Sequence, residues 1–186
     1  ACDEEIKSVS GVLKTYGGVL ISYSGLNSET AGVGESAFSV TSPDSFEGSF
    51  LANYFINDLK ISKSALLHDE SVFGESSSNN FRKYFTDSEG EMVLDSVVDF
   101  SQDIQGVVDE IKSTKPEAVY VAVESKDKGF EILKGLREKG VNAYFASPIS
   151  IFDTENISKN PKTFEGSLAI SPEIDWKNNL KAKNFR

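Results

Sequence analysis

Ser64-Ala65-Leu66-Leu67-His68-Asp69-Glu70-Ser71-Val72-Phe73-Gly74-Glu75 is the stretch whose reading decides the fold. Residues 64–68 form a short apolar run, the pattern of a buried strand. Residues 69–73 read as a loop at its carboxyl end, and Gly74 opens the next helix. Strand, loop and helix in that order make the repeating unit of an open α/β sheet. Such sheets hold ligands outside the carboxyl ends of their strands. A small-molecule site is therefore expected at this junction.

The alternation continues in both directions. Upstream, Phe46, Phe50, Leu51, Tyr54 and Phe55 are expected on one face of a helix over 44–58. Further back lie a short extended piece over 37–41, stopped by Ser42-Pro43, and a strand over 19–22. A helix over 3–16 has Ile6, Val9, Leu13 and Tyr16 at helical spacing, acids in its first turn and Gly17-Gly18 after its end. Downstream, helices are expected over 74–85, 101–113 and 127–139, and strands over 92–98, 118–123, 142–146 and 164–170. A weaker helical piece covers 152–158. Gly140 follows the third of these helices at the position a left-handed cap favours. Strands and helices alternating at this spacing imply right-handed βαβ units. The fold class is α/β: a three-layer architecture with a parallel sheet flanked by helices.

Composition narrows the function. The chain has 186 residues, 39% of them hydrophobic and 11% aromatic, enough for a packed core. A net charge of −10 opposes nucleic-acid backbones and anionic membrane surfaces. Cys2 is the single cysteine, so neither an internal disulfide nor a thiolate metal cluster is available. No apolar run reaches bilayer length, so no direct membrane insertion is expected. Ala1-Cys2-Asp3-Glu4-Glu5 is acidic where a secretory leader would be basic and apolar, and the start reads as that of a mature or truncated chain.

Catalytic patterns are missing. His68 is the only histidine, and Asp69 beside it in sequence does not make an orienting pair. Gly34-Glu35-Ser36-Ala37-Phe38 and Gly74-Glu75-Ser76-Ser77-Ser78 both miss the nucleophile elbow. No phosphate-cradling glycine loop precedes a helix. The expectation is a binder rather than an enzyme, with no cofactor and no metal. What remains are loops at strand ends: Asp3 with the helix start after it, Tyr23-Ser24-Gly25-Leu26, 69–73, Glu124-Ser125-Lys126 and Ser147-Pro148-Ile149. Ordinary turn chemistry explains any one of them. Their joint position on one sheet edge is what points to a pocket.

Five stretches together carry a resemblance. They are Cys2 followed by a helix; Val19-Leu20-Ile21-Ser22 with its Ser/Gly-rich loop; Phe38 to Gly48 through Ser42-Pro43-Asp44; His68-Asp69 through Phe73-Gly74-Glu75; and Val98-Asp99-Phe100-Ser101. In this order the chain resembles the type I periplasmic solute-binding proteins of the leucine/isoleucine/valine-binding branch. The resemblance implies two α/β lobes joined by three crossing strands, closing on a ligand by a hinge. It assigns 1–38 to the end of the first lobe, 39–172 to the second lobe with crossing strands at both ends, and 173–186 to a truncated return segment. It implies an extracytoplasmic location, a small-molecule ligand and the membrane permease of an ABC transporter as partners.

The same resemblance tests the ligand position by position. The family holds an amino-acid carboxylate with a hydroxyl where this chain has Asp3, a charge that would repel it. A threonine in the loop after the Ile-Ser strand is replaced by Leu26. The aromatic before Gly-Glu is kept as Phe73. A later aromatic falls near Glu124 or Ser125, and an ammonium-binding glutamate aligns with Ile149. The ligand-binding set expected from loops and resemblance together is Asp3, Tyr23, Ser24, Gly25, Leu26, Phe73, Glu124, Ser125 and Ile149. The resemblance thus implies the fold without implying a branched-chain amino acid. A ligand-sensing domain of a receptor or amide-type regulator is the alternative function.

Overall fold

The computed structural model of the chain describes residues 3–22, 37–39, 42, 44–101 and 104–171. Helix α1 (Asp3–Tyr16) leads to strands β1 (Leu20–Ser22) and β2 (Ala37–Ser39), which pair in parallel as a small two-stranded sheet. Then come α2 (Asp44–Asn57), β3 (Lys63–His68), α3 (Val72–Asp87), β4 (Glu91–Val97), α4 (Gln105–Thr114), β5 (Ala118–Ala122), α5 (Lys126–Glu138) and β6 (Tyr144–Pro148). A 3-10 turn (Ile149–Ile151), the short helices α6 (Thr154–Lys159) and α7 (Pro161–Phe164), and β7 (Ser167–Ile170) complete the described part.

Strands β3 to β7 form one sheet in the order β4-β3-β5-β6-β7, parallel throughout. Burial follows the two-residue period of a strand covered on both faces. Ala65, Leu67, Val119, Val121 and Phe145 enter one core with Val108 and Ile111 of α4 and Ile132, Leu133 and Leu136 of α5. Leu66, Ala118, Tyr120, Ala122, Ala146 and Ile170 enter the other with Leu51, Ala52 and Phe55 of α2 and Phe81 and Phe85 of α3. Two cores on opposite faces of one parallel sheet are the three-layer architecture expected from the alternation.

The second core is aromatic. Phe81 meets Phe55 edge-on at 5.8 Å, stacks on Phe85 at 5.3 Å and lies 5.0 Å from Tyr120. The Tyr120 hydroxyl is satisfied by the Ser77 hydroxyl at 2.6 Å, so a fully buried tyrosine costs no orphaned polar group.

Several element boundaries differ from the sequence reading. Helix α3 starts at Val72, two residues early, because the Ser71 hydroxyl accepts the Gly74 N–H at 2.9 Å and caps it. Helix α4 starts late because the Asp99 carboxylate takes the Ser101 N–H at 2.9 Å and hydroxyl at 2.7 Å, holding a turn. Strand β6 is displaced toward the C-terminus. Arg137 draws the Ala143 carbonyl out of the ladder at 3.3 Å, and pairing begins where the Tyr144 N–H meets the Glu117 carbonyl at 2.9 Å. Ser147 and Pro148, expected in a loop, are therefore strand residues, and Phe164, expected in a strand, ends α7.

Helix α2 does not bury all five residues expected on one face. Leu51 and Phe55 are buried, whereas Phe46 and Phe50 are more than half exposed. Spacing of i, i+4, i+8 lays Phe46, Phe50 and Tyr54 in a separate row, stacked at 6.1 and 6.5 Å. Gly140 behaves as expected. It has φ +71°, and the Val141 N–H returns to the Leu136 carbonyl at 2.9 Å.

At the amino ends of the strands, the Glu117 carboxylate accepts the N–H groups of Ser62 at 2.7 Å and Lys63 at 3.0 Å. These bonds to the charged form, the Ser62 one first, hold its pKa below the ordinary glutamate value. A depressed carboxylate adds stability that is present above the unfolded pKa, about 4.3, and is lost as pH falls through the folded value. Glu117→Gln should therefore melt below wild type at neutral pH, with the gap closing in acid. Thermal melts from pH 7 to pH 3 check this, and a gap independent of pH would refute it.

Candidate functional site

Strand order places one discontinuity in the sheet. From β3 the chain steps outward to β4 through α3 on one face. It then crosses back over β3 to β5 and on to β6, through α4 and α5 on the other face. The carboxyl ends of β3 and β5 are therefore neighbours whose following loops diverge to opposite faces. That divergence is a topological switch point, the place where open α/β sheets receive ligands.

The switch point is built around Asp69. It follows β3 directly, and its own N–H reaches the Ala122 carbonyl at 3.4 Å. One carboxylate oxygen, Oδ1, accepts the Ser71 N–H at 3.2 Å and the Ser71 hydroxyl. The other, Oδ2, accepts the Glu124 N–H across the switch point at 2.9 Å. Gly74 completes the corner: a β-carbon there would lie 2.2 Å from Asp69 Oδ1 and 2.6 Å from the Asp69 carbonyl. The sequence reading placed Asp69 in the loop but not among the site residues. Its signal is an Asp two positions before a helix-capping Ser, the spacing of an Asx turn.

Phe73 sits in the first turn of α3, half-buried against the aromatic core. Glu124 and Ser125 lie opposite, both exposed, with Ser125 at the cap position of α5 but making no side-chain cap bond. Ile149 opens the 3-10 turn after β6 and is 52% exposed. These four share the carboxyl edge of the sheet with Asp69. Asp3 is the first residue of α1. Tyr23, Ser24, Gly25 and Leu26 lie outside the described residues.

His68 has a structural environment. Its Nδ1 lies 3.1 Å from the Asp69 carbonyl and so carries the proton. Its Nε2 is 3.8 Å from Asp95, a carboxylate clasped by both Arg82 Nε and Arg82 Nη2, the latter at 2.9 Å. Among the described residues no cluster of His, Cys, Asp and Glu is arranged for a metal ion. No described helix is long and apolar enough to cross a membrane. An open groove of about 490 Å³ lies beside β7, lined by Phe152, Ile157, Pro161 and Phe164. It is two strands away from the β3–β5 switch point and shares none of its residues.

Comparison with known proteins agrees with the fold. A family model described as "Periplasmic binding protein" matches residues 4–186. The Leu/Ile/Val-binding protein homolog 3 of Brucella melitensis biotype 1 is 24% identical over 160 residues, covering 81% of this chain and 43% of that protein. A leucine-binding protein from Thermotoga maritima superposes with a TM-score of 0.80 at 19% identity, covering 97% of this chain and 52% of its own. A branched-chain amino acid transporter substrate-binding protein from Streptococcus pneumoniae, solved with isoleucine, gives 0.77 at 22% identity, covering 96% and 51%. A solute-binding protein from R. palustris, solved with benzoate, gives 0.70 at 17% identity, covering 99% and 58%. The chain thus spans about half the length of the relatives it matches. With the family model covering nearly every residue, the chain belongs to the periplasmic binding protein family.

Proposed function

We propose that this chain is part of a solute-binding protein that captures a small organic molecule for an ABC-type uptake system outside the cytoplasm. The observation that supports the reading is the switch point at the β3–β5 divergence, at whose carboxyl edge Phe73, Glu124 and Ser125 lie with Asp69. Residues 39–172 are one lobe of this binder. Residues 1–38 belong to the end of the other lobe, and 173–186 begin the return toward it. A membrane permease is the partner that receives the solute. The protein binds and releases its solute unchanged.

The family's solved members include proteins crystallised with isoleucine and with benzoate. Asp3, Leu26 and Ile149 replace the groups expected to hold a zwitterionic amino acid, which favours a ligand of different polarity. A thermal-shift screen of the full-length protein against amino acids, amides, aromatic acids and polyamines tests the proposal. A ligand at a hundred times its Kd stabilises the folded state by about 2.7 kcal/mol. The expected result is a rise in Tm with one chemical class, lost in Phe73→Ala when measured from that variant's own baseline. A rise equal in wild type and variant would remove Phe73 from the site. No rise with any class would count against solute capture.

A further inference from the structure

We infer that Asp69 is a positioning residue. Its carboxylate fixes the two walls of the ligand crevice relative to one another, so that the main chain at Glu124 and Ser125 is presented to a bound solute in a set place. The inference rests on the solute-binding reading and adds to it a residue that contacts the ligand through others.

The argument starts from the topology. At the divergence between β3 and β5 the two strands stop pairing, with His68 opposite Ala122 as the last register pair. Beyond it the ladder no longer dictates where either loop goes. One chain turns into α3 on one face and the other into α5 on the opposite face. Some interaction must replace the ladder if the crevice is to keep a defined width. The Asp69 carboxylate does so with its two oxygens aimed at different walls. Oδ1 holds Ser71, the capping residue of α3. Oδ2 holds the Glu124 N–H, one residue before the α5 cap position.

The arrangement requires a carboxylate. Both oxygens act as acceptors for groups that only donate in these contacts. Asparagine offers one acceptor oxygen and one NH2 group. In Asp69→Asn the single oxygen can serve only one of the two backbone donors, Ser71 N–H and Glu124 N–H, and the NH2 group cannot accept the other. Sequence separation makes the clasp long-range: Asp69 and Glu124 are 55 positions apart. Gly74 supports it sterically, because any side chain there would displace the same Oδ1.

The test uses the full-length protein, with amide hydrogen exchange and probe binding measured side by side for wild type, Asp69→Ala and Ser71→Ala. L-leucine and benzoate are the probes. In Asp69→Ala, which removes both acceptor oxygens, the Glu124 amide should exchange at least about tenfold faster, while the ladder amides of β5 keep their protection. The affinity of whichever probe binds wild type should fall by about tenfold. In Ser71→Ala the Glu124 amide should stay protected, since only the α3 side is altered. A Glu124 amide as protected in Asp69→Ala as in wild type would overturn the inference. So would exposure of that amide with unchanged probe affinity. Failure of both probes to bind wild type would count against the solute-binding reading for those ligands, whereas the Glu124 exchange result would still decide whether the clasp exists.

Discussion

Phe81→Ala should lower stability by about 3–5 kcal/mol, the range for deleting a large aromatic from a filled core. Phe81 has no solvent exposure and touches three other rings, Phe55, Phe85 and Tyr120, contributed by α2, α3 and β5. The loss therefore falls on the packing of two helices and the sheet at once. Because the Tyr120 hydroxyl is held by Ser77, the ring of Tyr120 cannot swing freely into the void. For a chain of this size the expected change in Tm is roughly 6–20 °C. Should Phe81→Ala fail to accumulate, Phe81→Leu provides a measurable intermediate, with a smaller loss in the same direction. A Tm within 2 °C of wild type for Phe81→Ala would show that this aromatic cluster is not the centre of the core.

Gly48→Ala should cost about 3 kcal/mol, although alanine is the better helix former by about 1 kcal/mol. A β-carbon at Gly48 would lie 2.0 Å from the Ser77 carbonyl oxygen and 2.8 Å from the Phe81 nitrogen. Both are backbone atoms of α3, so no side chain can rotate away. Helices α2 and α3 would have to separate, opening the same aromatic core from its edge. Gly106→Ala is the matched control. It is also helical, but a β-carbon there meets nothing within 4 Å, and the variant should stay within about 1 kcal/mol of wild type. Chemical denaturation of the two variants gives the comparison. Equal stabilities would mean that α2 and α3 tolerate separation.

The fold was legible because its signals are local. The 64–68 run and the Gly140 cap each need a few neighbouring residues to be read. A sheet buried on both faces then follows from the spacing of apolar runs. Boundaries were less legible where one distant side chain decides them. Arg137 delays β6 by holding Ala143, and the Asp99 turn delays α4. Phe46, Phe50, Leu51, Tyr54 and Phe55 were read as one helix face, and apolarity alone does not say which part of such a face meets the sheet. Phe73, Glu124, Ser125 and Ile149 lie at the carboxyl edge of the sheet, where strand polarity placed them. Asp69 was passed over as a site residue because its role depends on an amide 55 positions away, which no local pattern encodes.

The strand order also has a consequence for how the chain must come together in time. Strand β3 lies in the interior of the sheet, yet its partner on one side, β5, pairs with it across 54 positions of sequence. During synthesis β3 and β4 can associate first, since only α3 separates them. Until β5 has emerged and crossed over, β3 keeps a bare flank, with unpaired N–H and C=O groups. Closing so long a loop is slow relative to local pairing. The long crossover that makes the switch point in the finished molecule therefore also sets its period of greatest exposure to self-association while it is being made.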